Sequence, residues 1–194
     1  KALLGCTELM TANTDPRLTN RDVFWQGFTG QTGLEQVEME PFFDKFYENE
    51  FLVLESVMTR RETAVSLIKA CQSQNLKIVI ATNPMFPRPA VEARLRWAGL
   101  PVSEFDFALI TSYENMHTTK PRPAYYEEIL AQIDVTAAES LMVGDDWGND
   151  IEPAASVGCF TYWLPMNGES EPPHVELVTK YGSLDDLFSL VASG

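Results

Sequence analysis

The alternation of short apolar runs with amphipathic helices after Met58 restricts the fold more than any other feature of the sequence. The runs have the length and β-branched content of buried strands, and stretches of helical periodicity separate them. This order is typical of a Rossmann-like parallel sheet with helices on both faces, so we expect an α/β fold. The predicted strands are 76–81, 107–110, 141–143 and 159–163, and the predicted helices are 64–71, 89–97, 124–132 and 150–157.

Residues 1–58 have a different, helical character. Leu3, Cys6 and Met10 fall on one helical face, and aromatic residues repeat at helical spacing after Pro41. Turn-forming residues divide the region into short helices. We therefore expect a small all-helical module at 1–58 and an α/β part at 59–194.

Charge and cysteine content exclude several classes of protein. The sequence has 28 Asp and Glu against 14 Lys and Arg, a net charge of −14, which argues against nucleic acid or an anionic membrane as the main partner. No apolar run approaches the length of about 18–20 residues that a membrane span needs. Three widely spaced cysteines indicate reduced thiols, so we expect a cytoplasmic protein. The sequence does not indicate an oligomeric state.

Ligands of parallel α/β sheets bind where the strands end, so the residues after each predicted strand are the candidates for function. Thr82 and Asn83 follow the first strand, and Pro84 prevents further strand pairing. A hydroxyl and a carboxamide there can donate hydrogen bonds to an anionic ligand. The same residues before a proline are also ordinary turn chemistry.

Lys120 ends the segment that links the second strand to the next helix. Pro121 and Pro123 restrain the backbone beside it, so that its ammonium can be held over a cleft to neutralise a phosphate or a carboxylate. The alternative is a solvated surface lysine. His117, in the same loop, is interpreted as a structural hydrogen-bonding residue rather than an acid or base.

Three carboxylates, Asp145, Asp146 and Asp150, lie within six residues after the third strand. Carboxylates packed at the mouth of a sheet repel one another unless a cation lies among them, and oxygen ligands of this kind suit Mg²⁺. The alternative is helix capping by Asp145 or Asn149. Trp147 is interpreted as a packing or lid residue.

These strand ends together resemble the haloacid dehalogenase (HAD) superfamily, whose members are mostly Mg²⁺-dependent phosphatases. Thr82 resembles the second motif and Lys120-Pro121 the third, and Gly144-Asp145 with Asp150 resembles the fourth. The resemblance covers 76–164 and implies that residues 1–58 belong to a substrate-selecting cap. It also implies that Thr82 contacts the transferred phosphoryl group, that Lys120 steadies the nucleophile and phosphoryl oxygens, and that the aspartates hold Mg²⁺. Either Asp145 or Asp146 can be the direct ligand.

The sequence departs from the family at its first motif, a strand followed by Asp-x-Asp-x-Thr. Asp15 lies in a proline turn, and Asp22 and Asp44 lie in helical stretches, so none of them follows a predicted strand. We therefore expect several tens of residues upstream of Lys1, carrying the nucleophile and the middle strand of the sheet. Without that strand its two neighbours would have unpaired inner edges.

The leading functional hypothesis is hydrolysis of a small phosphorylated metabolite through an aspartyl-phosphate, with the nucleophilic aspartate upstream of this chain. A non-catalytic binding or regulatory protein that keeps the fold is the alternative. A hydrolytic dehalogenase is less favoured, because that branch of the superfamily needs no metal and has little use for the three carboxylates. The sequence does not name the substrate.

Overall fold

The computed structural model describes residues 1–166 and 171–193 and confirms the predicted α/β class. Its described helices include every predicted one, with ends shifted by a few residues. The described helices are α1 (Ala2–Ala12), α2 (Asn20–Thr32), α3 (Gln36–Glu48), α4 (Glu62–Ser73), α5 (Arg88–Trp97), α6 (Pro123–Ile133), α7 (Glu152–Ser156) and α8 (Leu184–Ala192). A 3₁₀ helix follows α3 at Glu50–Val57, and a π-helical turn precedes α7 at Trp147–Ile151.

The strands form two parallel sheets among the described residues. β1 (Val79–Ile80) pairs with β2 (Leu109–Ile110). The second sheet has the order β3-β4-β5, formed by Leu141–Gly144, Phe160–Trp163 and Lys180–Tyr181. The first predicted strand, 76–81, is therefore reduced to two residues, and β5 was not predicted. In the part of the chain that the structure describes, β1 and β3 each have a paired neighbour on one side only.

The chain divides into two compact units. The first comprises residues 1–62 and 79–119. Its α2 starts with a capping box in which Thr19 and Asp22 exchange hydrogen bonds, and it ends at Gly33, whose φ of 72° suits glycine. Two aromatic clusters form its core, one around Cys6, Trp25 and Phe28 and the other around Phe51, Ala90, Ala93 and Trp97.

The second unit comprises residues 63–78 and 120–194. Leu67 of α4, Tyr162 of β4 and Leu187 of α8 form its buried cluster, so that both helices pack on the second sheet. The predicted capping box of Thr136 and Glu139 is present. Each unit combines two segments that are separated in the sequence. The predicted division at Met58 into a cap and a core stays a prediction.

The cysteines are unpaired, as expected, and Cys6 is fully buried, which raises the pKa of its thiol. Within residues 1–166 and 171–193, no helix combines the length and the apolar character needed to cross a membrane.

Candidate active site

A buried ion pair joins Lys120 to Asp150 in the second unit. Lys120 Nζ lies 2.5 Å from Asp150 Oδ1, and the two residues are only 7% and 6% exposed. The other carboxylate oxygen of Asp150 accepts a hydrogen bond from the backbone N–H of Asp146 at 3.2 Å. Two charges removed from water need this close pairing, because either one alone would carry a large desolvation penalty. The sequence placed both residues at strand ends, and the fold brings them into contact.

Gly144, the last residue of β3, makes room for Asp150. A Cβ atom at Gly144 would overlap the side chain of Asp150, including its Cβ and carboxylate. Since Gly144 and Asp150 are both buried, neither can easily move away. Glycine is therefore required here by the close approach of Asp150 and not by a turn.

Asp146 caps the helical turn that follows β3. Its side chain accepts hydrogen bonds from the backbone N–H of Asn149 at 2.9 Å and from Asn149 Nδ2 at 2.7 Å. These bonds, the side-chain bond from Asn149 foremost, hold the pKa of the Asp146 carboxyl below its usual range. The sequence analysis gives helix capping by Asp145 or Asn149 as an alternative for this segment, whereas the capping side chain in the structure is that of Asp146. Asp145 is exposed, and its backbone carbonyl accepts a hydrogen bond from Trp163 Nε1.

The three aspartates do not form a metal site by themselves. In the described ranges, 1–166 and 171–193, no group of three His, Cys, Asp or Glu side chains could hold a metal ion. Asp146 is engaged as a cap and Asp150 as the partner of Lys120, whereas Asp145 faces solvent. The predicted Mg²⁺ site at Asp145, Asp146 and Asp150 therefore does not fit these residues alone, and no catalytic step is derived from a metal here.

Thr82 and Asn83 follow β1 in the first unit. Thr82 Oγ1 donates a hydrogen bond to the carbonyl of Thr111 at 3.3 Å, and Thr111 Oγ1 donates to the carbonyl of Thr82 at 2.9 Å. The Oδ1 atom of Asn83 is buried and has no hydrogen-bond partner among the described residues. Thr82 is thus hydrogen-bonded to Thr111, which follows the neighbouring strand β2. The side-chain oxygen of Asn83 is an acceptor without a donor among the described residues.

A family model of haloacid dehalogenase-like hydrolases matches residues 6–158. The chain belongs to this HAD family. It is 28% identical over 142 residues to a phosphoglycolate phosphatase of Pectobacterium atrosepticum, a match that covers 73% of this chain and 56% of that enzyme. The chain therefore aligns with little more than half the length of this relative.

Solved structures show the same HAD fold. The CbbY protein of Rhodobacter sphaeroides, crystallised with phosphate, has a TM-score of 0.58 at 19% identity, over 95% of this chain and 77% of its own. A HAD phosphatase of Thermococcus onnurineus has a TM-score of 0.57 at 18% identity, over 97% and 91%. At these identities the likeness establishes the fold and leaves the chemistry to the residues of this chain.

Two tyrosines in the first turn of α6 lie beside the candidate residue Lys120 and beside Asn149, and the sequence analysis did not single them out. The Tyr125 ring centre lies 5.7 Å from Lys120 Nζ, within the range of a cation–π contact. Tyr126 Oη donates a hydrogen bond to the carbonyl of Asn149 at 2.6 Å, and burial raises the pKa of its hydroxyl. The two adjacent aromatic residues shortly after Lys120-Pro121 are the sequence feature from which their position beside Lys120 could have been predicted.

The aromatic residue of the fourth-motif loop is a packing residue. Trp147 meets Trp163 edge to face, with ring centres 5.6 Å apart. This contact agrees with the packing interpretation. Because Trp163 Nε1 also binds the carbonyl of Asp145, the two indoles together fix the loop that begins after β3.

Proposed function

We propose that this chain forms the larger part of a HAD phosphatase that hydrolyses small phosphate monoesters. The observation that carries the proposal is the buried Lys120–Asp150 pair at the end of β3. A lysine fixed in this way presents its charge without reorganisation, which is how an enzyme stabilises the equatorial charge of a transferred phosphoryl group. Thr82 and Asn83 are the proposed neutral contacts to the phosphoryl oxygens.

In the proposed reaction an aspartate carboxylate attacks phosphorus and the ester oxygen leaves with a proton. Water then attacks the aspartyl-phosphate, which releases inorganic phosphate and restores the carboxylate. We propose that this aspartate lies upstream of Lys1. The arrangement of the chain's own candidates supports this: Asp15 is bound to Arg17, Asp22 is part of a capping box, and Asp44 lies within α3.

The edges that β1 and β3 leave unpaired within the described ranges also support an upstream strand. Among the described residues β1 pairs only with β2 and β3 only with β4, so each leaves an edge on which another strand can pair. A carboxylate arriving with such a strand would add the ligand that Asp145, Asp146 and Asp150 need for Mg²⁺. Without it we expect weak Mg²⁺ binding, to be measured by calorimetry on this chain and on Asp145→Asn and Asp146→Asn.

The proposed substrate is a small phosphorylated metabolite. The phosphoglycolate phosphatase relative, by its name, acts on a compound of this class, and the net charge of −14 argues against nucleic acid as a partner. A cytoplasmic location belongs to the same proposal.

Phosphatase assays on two lengths of the protein test this function. We expect the 194-residue chain to be inactive on aryl, sugar and nucleotide phosphates, and a form extended upstream to be active. In the extended form, Lys120→Ala should lower kcat by a factor on the order of 10²–10³. Lys69→Ala, at an exposed lysine of α4, is the control.

The outcomes of these assays separate the candidate functions. Turnover by the short chain would place the nucleophile within it and return attention to Asp15, Asp22 and Asp44. Inactivity of an extended form that carries an Asp-x-Asp motif would favour the non-catalytic, regulatory function. Dehalogenation without phosphatase activity would favour the dehalogenase branch.

A further inference from the structure

The start of α2 holds the loop that leads into Lys120. We call residues 111–119 the lysine loop, because Lys120 follows it directly. The backbone N–H groups of Asn20 and Arg21 donate hydrogen bonds to the carbonyls of Met116 and Tyr113, both at 2.8 Å. The first turn of a helix has N–H groups without partners in the helix, and here the lysine loop supplies the acceptors. The helical segment before residue 58 thus has a direct structural role at a predicted site loop.

The side chain of Asn20 connects this loop to a second one. We call residues 82–86, which contain Thr82 and Asn83, the threonine loop. Asn20 is fully buried, and its Nδ2 lies 3.3 Å from the carbonyl oxygen of Pro84 and 3.1 Å from that of Thr118. Carbonyl oxygens only accept hydrogen bonds, so the atom between them must be the donating amide nitrogen. One side chain therefore bridges both loops.

The bridge adds to the hydrogen bonds between Thr82 and Thr111 and to a backbone hydrogen bond between the loops. The N–H of Tyr113 donates to the carbonyl of Phe86 at 3.0 Å. Asn20 lies at the first position of α2, and its amide fixes the distance between Pro84 and Thr118. Removal of the Asn20 amide would leave the carbonyls of Pro84 and Thr118 without this buried donor. The bridge therefore depends on an amide side chain at residue 20.

We propose that Asn20 is a positioning residue that fixes the threonine loop and the lysine loop relative to each other. Its relevance to catalysis rests on the proposed phosphatase function, in which Thr82 is a phosphoryl contact and Lys120 follows the lysine loop directly. Asn20 contacts neither the reacting atoms nor a substrate in this role. It sets the position of Thr82 and the point at which the chain enters Lys120.

Asn20→Asp is the informative variant. It keeps the shape of the side chain but replaces the donating nitrogen with an oxygen that faces two carbonyls. An acidic residue in the first turn favours the N-terminus of a helix. A buried carboxyl without a cation also lowers the stability of the whole unit, so this general loss is measured separately within α2. Asn49→Asp is the matched control, because Asn49 is exposed and its amide donates to the carbonyl of Lys45 in its own helix at 2.7 Å.

Amide hydrogen exchange, followed by NMR on the 194-residue chain, reads out the two loops separately. The N–H of Met85, bonded to Asn83, reports on the threonine loop, and that of Tyr113, bonded to Phe86, reports on the junction of the two loops. The N–H of Val23, bonded to Thr19, is the reference within α2. In Asn20→Asp we expect exchange to accelerate about tenfold more at Met85 and Tyr113 than at Val23, because the loops lose two hydrogen bonds beyond the loss shared by the whole unit.

Two results of the exchange experiment would overturn the proposal. Unchanged exchange at Met85 and Tyr113 overturns the proposal. Faster exchange by the same factor at Val23 also overturns it, because Asn20 would then only support the stability of the whole unit. Asn49→Asp should match the wild type at all three amides.

Binding of inorganic phosphate, measured by calorimetry, separates this inference from the proposed function. If the wild-type chain binds phosphate, we expect Asn20→Asp to raise the dissociation constant about tenfold, since binding must then order both loops, and Asn49→Asp to leave it unchanged. Equal affinities of wild type and Asn20→Asp would overturn the positioning role. Absence of phosphate binding by the wild type would count against the proposed function, and the exchange experiment alone would then decide the role of Asn20.

Discussion

The segments that follow β3 and β1 carry candidate residues of different chemistry, and they are built differently. After β3, Asp150 is buried and is paired with Lys120 at 2.5 Å. After β1, Thr82 makes a long hydrogen bond of 3.3 Å through its hydroxyl, and the Oδ1 of Asn83 has no partner among the described residues. Charges cannot be buried without being neutralised inside the fold, whereas neutral polar groups tolerate weak pairing. Lys120 and Asp150, the charged half of the candidate residues, are therefore neutralised inside the fold, whereas Thr82, in the neutral half with Asn83, is held by hydrogen bonds between neutral groups.

The strongest test of this difference is to break the ion pair. Lys120→Met leaves Asp150 as an unpaired buried carboxylate, and loss of one partner of such a pair costs roughly 3–5 kcal/mol of unfolding free energy. Urea denaturation of the 194-residue chain measures it. Lys69→Met is the control at an exposed lysine.

A double variant sharpens the same test. Lys120→Met combined with Asp150→Leu removes both charges, and we expect it to recover most of the lost stability, because an apolar pair of similar size needs no neutralisation. A loss below about 1 kcal/mol for Lys120→Met alone would mean that solvent reaches Asp150, and the contrast between the two strand ends would disappear.

Gly144→Ala should give the next largest effect. The added methyl group would overlap Asp150 and displace it from Lys120, at a cost of about 1–3 kcal/mol. Gly148→Ala is the matched control, since the nearest atom to its added Cβ is Asp146 Oδ1 at 3.9 Å. Thermal denaturation compares the two. Equal effects at both glycines would contradict the close-approach explanation.

Asp146→Ala tests the cap beside the pair. Loss of an N-cap costs about 1 kcal/mol. The hydrogen bonds from Asn149 hold the folded-state pKa of Asp146 below its ordinary value of 3.8, so this stabilisation is present above about pH 4 and is lost as the pH falls through the folded pKa. The stability difference between wild type and Asp146→Ala should therefore shrink below pH 4. Asp145→Ala, which removes the carboxylate of the exposed neighbour, is the control.

Thr82→Val should have the smallest effect on stability. It removes the hydroxyl that donates to Thr111 and keeps the shape of the side chain, so we expect a loss of about 0.5–1 kcal/mol in urea denaturation. In an active extended form, the same change should weaken phosphate binding far more than this stability loss suggests. A large loss of stability would show that the neutral half is as tightly built as the charged half.

The fold was largely predictable where the sequence pattern is local. Helices such as α5 and α6 follow from periodicity and proline at their first turns. β5 was missed because Lys180 and Tyr181 are two exposed residues without a strand pattern, and only pairing with β4 makes them a strand. The first predicted strand was too long, because only Val79 and Ile80 find partners in β2.

The site was predictable as a set of residues but not as a set of contacts. Asp145 and Asp146 stand out because they directly follow an apolar strand, and Lys120 stands out because it ends a strand-to-helix segment restrained by prolines. Which aspartate caps, which pairs with lysine and which faces solvent depends on distances that spacing does not give. The sequence does not predict the bridging role of Asn20, because an asparagine at the start of a helix is common and the sequence does not show that its side chain is buried.

The α/β class, the HAD family and the residues after the strands follow from the amino-acid sequence, because periodicity and motif spacing are properties of the chain alone. The pairing of Asp150 with Lys120 next to Gly144 and the bridge that Asn20 makes between two loops depend on packing. Burial explains this difference. Polar groups that the fold removes from water together must pair with one another, and residues far apart in sequence meet only in the packed chain.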